Sequence, residues 1–148
     1  EGFFMSIVQD SMASTEKEGN GFCFAIIMKV LNGGEKLMIV NYADVTAIPV
    51  GDKCLRRVLI PGPAMMLVEF RFQKGGVGTP HKHEEHEQVG YIAKGSFEIT
   101  VDGKVQVVHA GDTYYAARNV MHGVVALEED SVIIDTFTPP RADFLPQK

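Results

Sequence analysis

The sequence predicts an all-β barrel or sandwich, and three observations carry that expectation. Short apolar runs recur at nearly regular spacing along most of the chain. Turn signals, supplied by 15 glycines and seven prolines, separate those runs. No stretch shows the 3.6-residue periodicity of an amphipathic helix. Short strands bounded by tight turns suit a closed or double-layered β fold.

The elements follow in order. Residues 1–36 differ from the rest and are expected to form an N-terminal extension. Within it, Ser11 to Gly21 is polar, Phe22 to Leu31 is apolar, and Asn32-Gly33-Gly34 is a turn. The β domain is expected over 37–148. Leu55 to Ile60 reads as a strand stopped by Pro61-Gly62-Pro63, and Met65 to Phe72 as one stopped by Gly75-Gly76. Gln88 to Ala93 and Phe97 to Val101 follow. Asp102-Gly103 predicts a type I′ hairpin, because both central residues of that turn need positive φ. Val105 to Val108, Thr113 to Ala117, Val124 to Leu127 and Val132 to Phe137 complete the set.

Composition narrows the function classes. With 148 residues, 45% hydrophobic and 22% charged, the chain can bury a substantial core. A net charge of −5 gives no electrostatic reason to bind nucleic acid. No apolar run reaches the roughly 18–20 residues that span a bilayer. No basic stretch precedes Phe22 to Met28, so a signal peptide is not expected. Cys23 and Cys54 lack CxxC spacing and read as buried thiols in a reducing compartment, which places the protein in the cytoplasm.

His81-Lys82-His83 carries the chemistry. On a strand, residues i and i+2 share a face, so the pair would deliver two imidazoles to one point. Two polar neighbours, Glu87 and Gln88, stand close enough to add a further ligand. His86 reads as a solvated turn residue and His109 as surface.

The spacing Gly75-x5-His81-x-His83-x4-Gln88-x6-Gly95 resembles the first motif of the cupins, with glutamine where glutamate is commoner. Gly111-Asp-Thr-Tyr-Tyr-Ala-Ala117-Arg-Asn119-Val-Met-His122 resembles their second motif. It departs at Ala117, where proline is usual, at Asn119, where glycine is usual, and at Ala126, where asparagine is usual. Asn119 is the mildest change, since asparagine tolerates the left-handed region. The resemblance implies a jelly-roll, the double-stranded β-helix barrel of the cupins. It also implies one divalent metal held by His81, His83, His122 and, by counting back from Gly95, Gln88 rather than Glu87. Gln88, Gly90 and Ile92 would then face inward, with Gly90 leaving room beside the metal. Imidazole-rich ligation suits Zn, Ni, Fe, Mn or Cu over Mg or Ca. Four neutral ligands leave the ion's charge uncompensated, which favours an anionic substrate.

A cupin fold does not name a reaction. The tail Asp135-Thr-Phe137-Thr-Pro-Pro-Arg141-Ala-Asp143-Phe144, with His86-Glu-Gln-Val-Gly-Tyr91, resembles the small cupins of pectin and alginate breakdown. Those proteins linearise 4,5-unsaturated uronate monosaccharides. The resemblance implies roles in turnover for Asp135, Phe137 and Arg141: acid/base, apolar wall and bidentate carboxylate grip respectively. Without it, Asp135 reads more readily as an ion-pair partner of a nearby arginine. A non-enzymatic sugar-acid sensing module would use the same metal and cleft, and so would a small metal-dependent dioxygenase. Ring opening of an unsaturated uronate separates the first from both, and oxygen uptake marks the last. A homodimer is expected, because cupins commonly associate and Phe22 to Leu31 offers apolar area.

Overall fold

The computed structural model describes residues 39–145. The expected extension over 1–36, with Phe22 to Leu31 and Cys23, lies outside the described residues. Among the described residues ten strands run in chain order: β1 (Ile48–Pro49), β2 (Cys54–Pro61), β3 (Met66–Phe72), β4 (Val77–His81), β5 (Glu87–Lys94), β6 (Ser96–Val101), β7 (Lys104–His109), β8 (Thr113–Ala116), β9 (His122–Ala126) and β10 (Ser131–Thr138). All pairings are antiparallel. One sheet has the order β1-β2-β3-β10-β5-β8 and the other β4-β9-β6-β7.

Alternation explains how the sheets meet. Along β5, Gln88, Gly90 and Ile92 are buried while Val89 and Tyr91 are exposed. Cys54, Phe72, Ile92 and Ile133 of the larger sheet pack against Phe97, Ile99, Val108 and Ala126 of the smaller. The rings of Phe72 and Phe97 meet edge-on at 5.5 Å between centroids. Burying each large side chain of this layer stabilises the fold by roughly 1.5–3 kcal/mol. A second apolar cluster, Met66, Val68 and Phe137, packs with Phe70, Phe144 and Leu145. Thr138 Oγ1 donates to the Ala64 carbonyl at 3.0 Å, and a 3-10 turn at Ala142–Phe144 lays the tail back across this end.

Asp102 (φ 51) and Gly103 (φ 73) form the hairpin turn between β6 and β7 as the sequence predicts. Two short strands, β1 and β4, are absent from the apolar runs. Both carry proline, and four of the five β4 residues are exposed, so no buried pattern announces them. Strand β9 begins at His122, ahead of the expected Val124, because His122 completes ladders with both His81 and Val101.

Candidate active site

Register brings the first two imidazoles together. β4 pairs with β9 so that His81 stands opposite His122, and facing residues of an antiparallel pair are near neighbours. β4 stops at His81, so His83 does not ride the same strand, contrary to the expectation from the i, i+2 rule. His83 lies in the following loop and is buried, whereas His81 is exposed. The loop is held by Asn119, which takes φ 63 and donates its N–H to the His83 carbonyl at 2.7 Å. The tolerance of asparagine for the left-handed region is therefore used where the second motif supports the first.

One ligand atom from each of His81, His83 and His122 lies within 4.8 Å of the others. His81 Nδ1 donates to the Thr79 carbonyl at 2.7 Å, and His122 Nδ1 to the Val120 carbonyl at 2.9 Å. These bonds put the proton on Nδ1 and leave each Nε2 lone pair free, the arrangement a metal-ligating histidine needs. Gln88 Oε1 lies 3.1 Å from His83 Nε2 and 3.2 Å from His122 Nε2. Burial holds His122 below the ordinary imidazole range. Burial, then Arg141 and His81, lowers His83 to about 4. Burial of His83 and His122 thus favours the neutral form that a transition metal requires of its imidazole ligands. The donor set fits such an ion. Glu87 turns outward, accepting from the Tyr115 hydroxyl at 3.2 Å.

A hydrogen-bonded chain runs behind Gln88. Its Nε2 donates to Tyr114 Oη at 2.8 Å, and Tyr114 Oη donates to Asp135 Oδ1 at 2.8 Å. β5 lies between β8 and β10, so Gly90 faces Tyr114 on one side and Asp135 on the other. A Cβ at Gly90 would sit 2.0 Å from the Tyr114 ring. The missing side chain therefore makes room for that ring, not for space beside a metal as the sequence suggests. Asp135 is buried and has no arginine partner among the described residues. Burial pushes its carboxyl up to about 7, against the lowering effect of its hydrogen bonds to Tyr114 and Gln88.

Phe137 and Arg141 also reach this cavity, which has a volume of about 250 Å³. Phe137 is buried with its ring edge-on to His83 at 5.7 Å. Arg141 is already partnered. Its Nε and Nη2 both donate to Asp143, at 2.8 and 2.7 Å, so the bidentate edge is already engaged. The remaining Nη1 lies 3.2 Å from His83 Nδ1. To offer its own Nε2 lone pair, His83 must carry its proton on Nδ1, and Arg141 must then turn from that nitrogen. His86 is more than solvated: its Nδ1 lies 2.8 Å from the Pro139 carbonyl, tying the ligand loop to the tail.

Sequence reasoning did not select Tyr114, Arg56 or Phe144. All three line the cavity. Phe144 and Asp143 stood within the tail that was singled out, yet without a role. Tyr114 could have been found from glycine at position 90, whose small size implies a large neighbour across the ladder. Arg56 interrupts the inward positions Cys54 and Val58 of β2, a charge where apolar residues are usual.

Comparison with known proteins follows from this geometry. The cupin domain family matches residues 68–137. The pectin degradation protein KdgF of Dickeya dadantii (strain 3937) is 50% identical over 95 residues, covering 64% of this chain and 86% of that protein. The structure of KdgF from Halomonas sp. superposes with a TM-score of 0.72 at 37% identity, covering 74% of this chain and all (100%) of that one. An RmlC-like cupin from Shewanella frigidimarina NCIMB 400 gives 0.69 at 33% identity, covering 74% and 97%.

Proposed function

This chain belongs to the cupin family, among its KdgF-type pectin degradation proteins, and from there we propose that it opens the ring of 4,5-unsaturated uronate monosaccharides to the linear keto form. The observation that carries the proposal is Asp135: a buried carboxyl on the cavity wall, hydrogen-bonded through Tyr114 to the amide that faces His83 and His122.

The chemistry asks for little more. The substrate is a cyclic enol ether with a hemiacetal carbon. Ring opening removes the proton from the hemiacetal hydroxyl while the bond from that carbon to the ring oxygen breaks. The electron pair stays on the ring oxygen as an enolate, and the proton delivered to the adjacent vinyl carbon gives the keto acid. A carboxyl balanced near neutrality is suited to taking up and returning such protons. Asp135 is that group, and Tyr114 holds it in place. Phe137 supplies an apolar wall, and Arg141 supplies positive charge beside His83. A divalent transition ion on His81, His83, His122 and Gln88 would add Lewis acidity toward a substrate oxygen; Zn, Ni, Fe and Mn all suit this donor set. Pockets for drug-sized ligands measure roughly 300–1,000 Å³, so a cavity of about 250 Å³ suits a single sugar acid.

Two further features belong to this proposal. Free, buried Cys54 fits the reducing cytoplasm. Exposed Val89, Tyr91 and Tyr115 lie on neighbouring strands of the larger sheet and offer a face for a homodimer, which light scattering reads directly.

The test is optical. The conjugated enol ether absorbs in the ultraviolet and the keto product does not. Metal-loaded protein should speed the loss of absorbance beyond the spontaneous rate. No acceleration with unsaturated galacturonate, mannuronate or guluronate products would instead support a binding module.

A further inference from the structure

We infer that Arg56 grips the carboxylate of the sugar and selects acidic substrates, an assignment that rests on the ring-opening proposal. β2 places Arg56 between Cys54 and Val58, opposite Phe70 of β3. An alternating strand directs such a position inward, and Arg56 lines the same cavity as His81, His122 and Asp135. Its guanidinium carbon lies 3.9 Å from the centroid of the Phe144 ring. Arg141 stacks on the same ring at 4.2 Å.

The two arginines differ in what answers their charge. Asp143 neutralises Arg141 through two parallel hydrogen bonds. Arg56 makes no hydrogen bond or ion pair among the described residues, and its Nε is buried without a partner. A desolvated cation with unmet donors is costly unless an anion answers it. The guanidinium lies over the Phe144 ring, and its two terminal Nη groups make no hydrogen bond among the described residues, so they remain to meet a carboxylate. With the fork of Arg141 engaged, Arg56 is the guanidinium left to bind one. Asp143 is near enough to act on Arg56 through space, but both of its oxygens are hydrogen-bonded to Arg141, so a single carboxylate answers two guanidiniums. A substrate carboxylate would complete the set.

The experiment uses metal-loaded protein and two saturated sugars, galacturonate and galactose, which differ at the carboxylate and undergo no ring-opening tautomerisation through a 4,5-alkene. Calorimetric titration of the unsubstituted protein should show clear preference for galacturonate. Arg56→Met should weaken galacturonate roughly 10- to 100-fold, the usual cost of losing a hydrogen-bonded charge, and leave galactose unchanged. Metal content should stay the same, and KM for the unsaturated uronate should rise by a similar factor. Should Arg56→Met fail to fold, Arg56→Lys carries the test: it keeps the charge but loses the planar fork, and galacturonate should bind several-fold more weakly. Equal affinity of the unsubstituted protein for the two sugars, or unchanged galacturonate affinity in the folded variant, overturns the assignment. The two proposals fail separately. Loss of galacturonate binding in Arg56→Met without any ring opening by the unsubstituted protein sinks the reaction and keeps Arg56. Ring opening with an unchanged KM in Arg56→Met keeps the reaction and sinks Arg56.

Discussion

The amide of Gln88 donates to the phenol oxygen of Tyr114 at 2.8 Å. That single bond decides which end of the amide faces the histidines. A phenol has one proton, and Tyr114 gives it to Asp135. Toward Gln88 it can only accept, so the amide nitrogen turns to Tyr114 and the oxygen turns to His83 and His122. Tyr114→Phe removes this constraint and keeps the ring that fills the space at Gly90. Partners that orient metal ligands typically contribute 10- to 100-fold to affinity. Competition with a chromophoric chelator should show a loss of about that size, with the thermal transition still cooperative.

Gly90→Ala attacks the same contact from the other side. Its Cβ would lie 2.0 Å from one Tyr114 ring carbon and 2.4 Å from another, closer than non-bonded atoms approach. The ring must move, and with it the hydroxyl that orders Gln88 and Asp135. Overpacking of this kind costs about 1–3 kcal/mol. Chemical denaturation should therefore show a lower midpoint than for the parent protein, accompanied by weaker metal retention. An unchanged midpoint would mean that the ladder relaxes freely around position 90.

Metal content should follow the ligands in a graded way. His83→Ala and His122→Ala remove buried imidazoles and should lose most of the metal in elemental analysis while the barrel stays folded, because the apolar layer between the sheets does not involve them. Gln88→Ala should weaken binding. Gln88→Glu should retain the ion but lower turnover of an anionic substrate, since it cancels one positive charge. If Glu87→Ala strips the metal and Gln88→Ala does not, the wrong neighbour has been assigned.

The fold and the histidines were legible because each leaves a local trace. Asp102-Gly103 marks its own turn, and alternation along Gln88, Gly90 and Ile92 marks the buried face. What could not be read is what arises between strands far apart in sequence. The pairing of His81 with His122 depends on ladder register, which no local pattern encodes. The contact of Gly90 with Tyr114 likewise needs β5 and β8 side by side. Arg141 shows the limit within a single segment: its place in the tail points to the cavity, while its pairing with Asp143, two residues on, depends on the turn that the tail takes at Ala142–Phe144.

Cys54 gives a prediction outside the site. Burial pushes its thiol up to about 11, with nearby Arg56 opposing. The reactive thiolate is therefore scarce at ordinary pH, and the sulfur is buried. Peptide mapping after iodoacetamide at pH 8.5 should find Cys54 unmodified in folded protein and modified after unfolding. The sign of the linked stability follows from the raised value. Folding favours the protonated thiol, so this contribution is complete below the ordinary thiol pKa and is lost as pH rises through about 11. Cys54→Ala should remove that alkaline component.

Asp135→Asn is the most direct test of the reaction. The carboxyl sits at the end of the Gln88–Tyr114 chain, buried between β3 and β5, and the amide that replaces it keeps both size and acceptor oxygen. Tyr114 can still donate, so Gln88 stays oriented and metal content should match the parent protein. What the amide cannot do is exchange a proton. If Asp135 moves protons during ring opening, the rate gain over the spontaneous reaction should fall by about 10²–10⁴-fold, or to nothing if the gain is smaller than that. The loss should appear in kcat, because a group that acts while bonds change contributes to the transition state and not to substrate binding. Arg56→Met is expected to show the complementary pattern, a raised KM with kcat retained. Should Asp135→Asn keep full turnover with the metal in place, the proton must move through another group, and the buried carboxyl would be left with a structural role beside Tyr114.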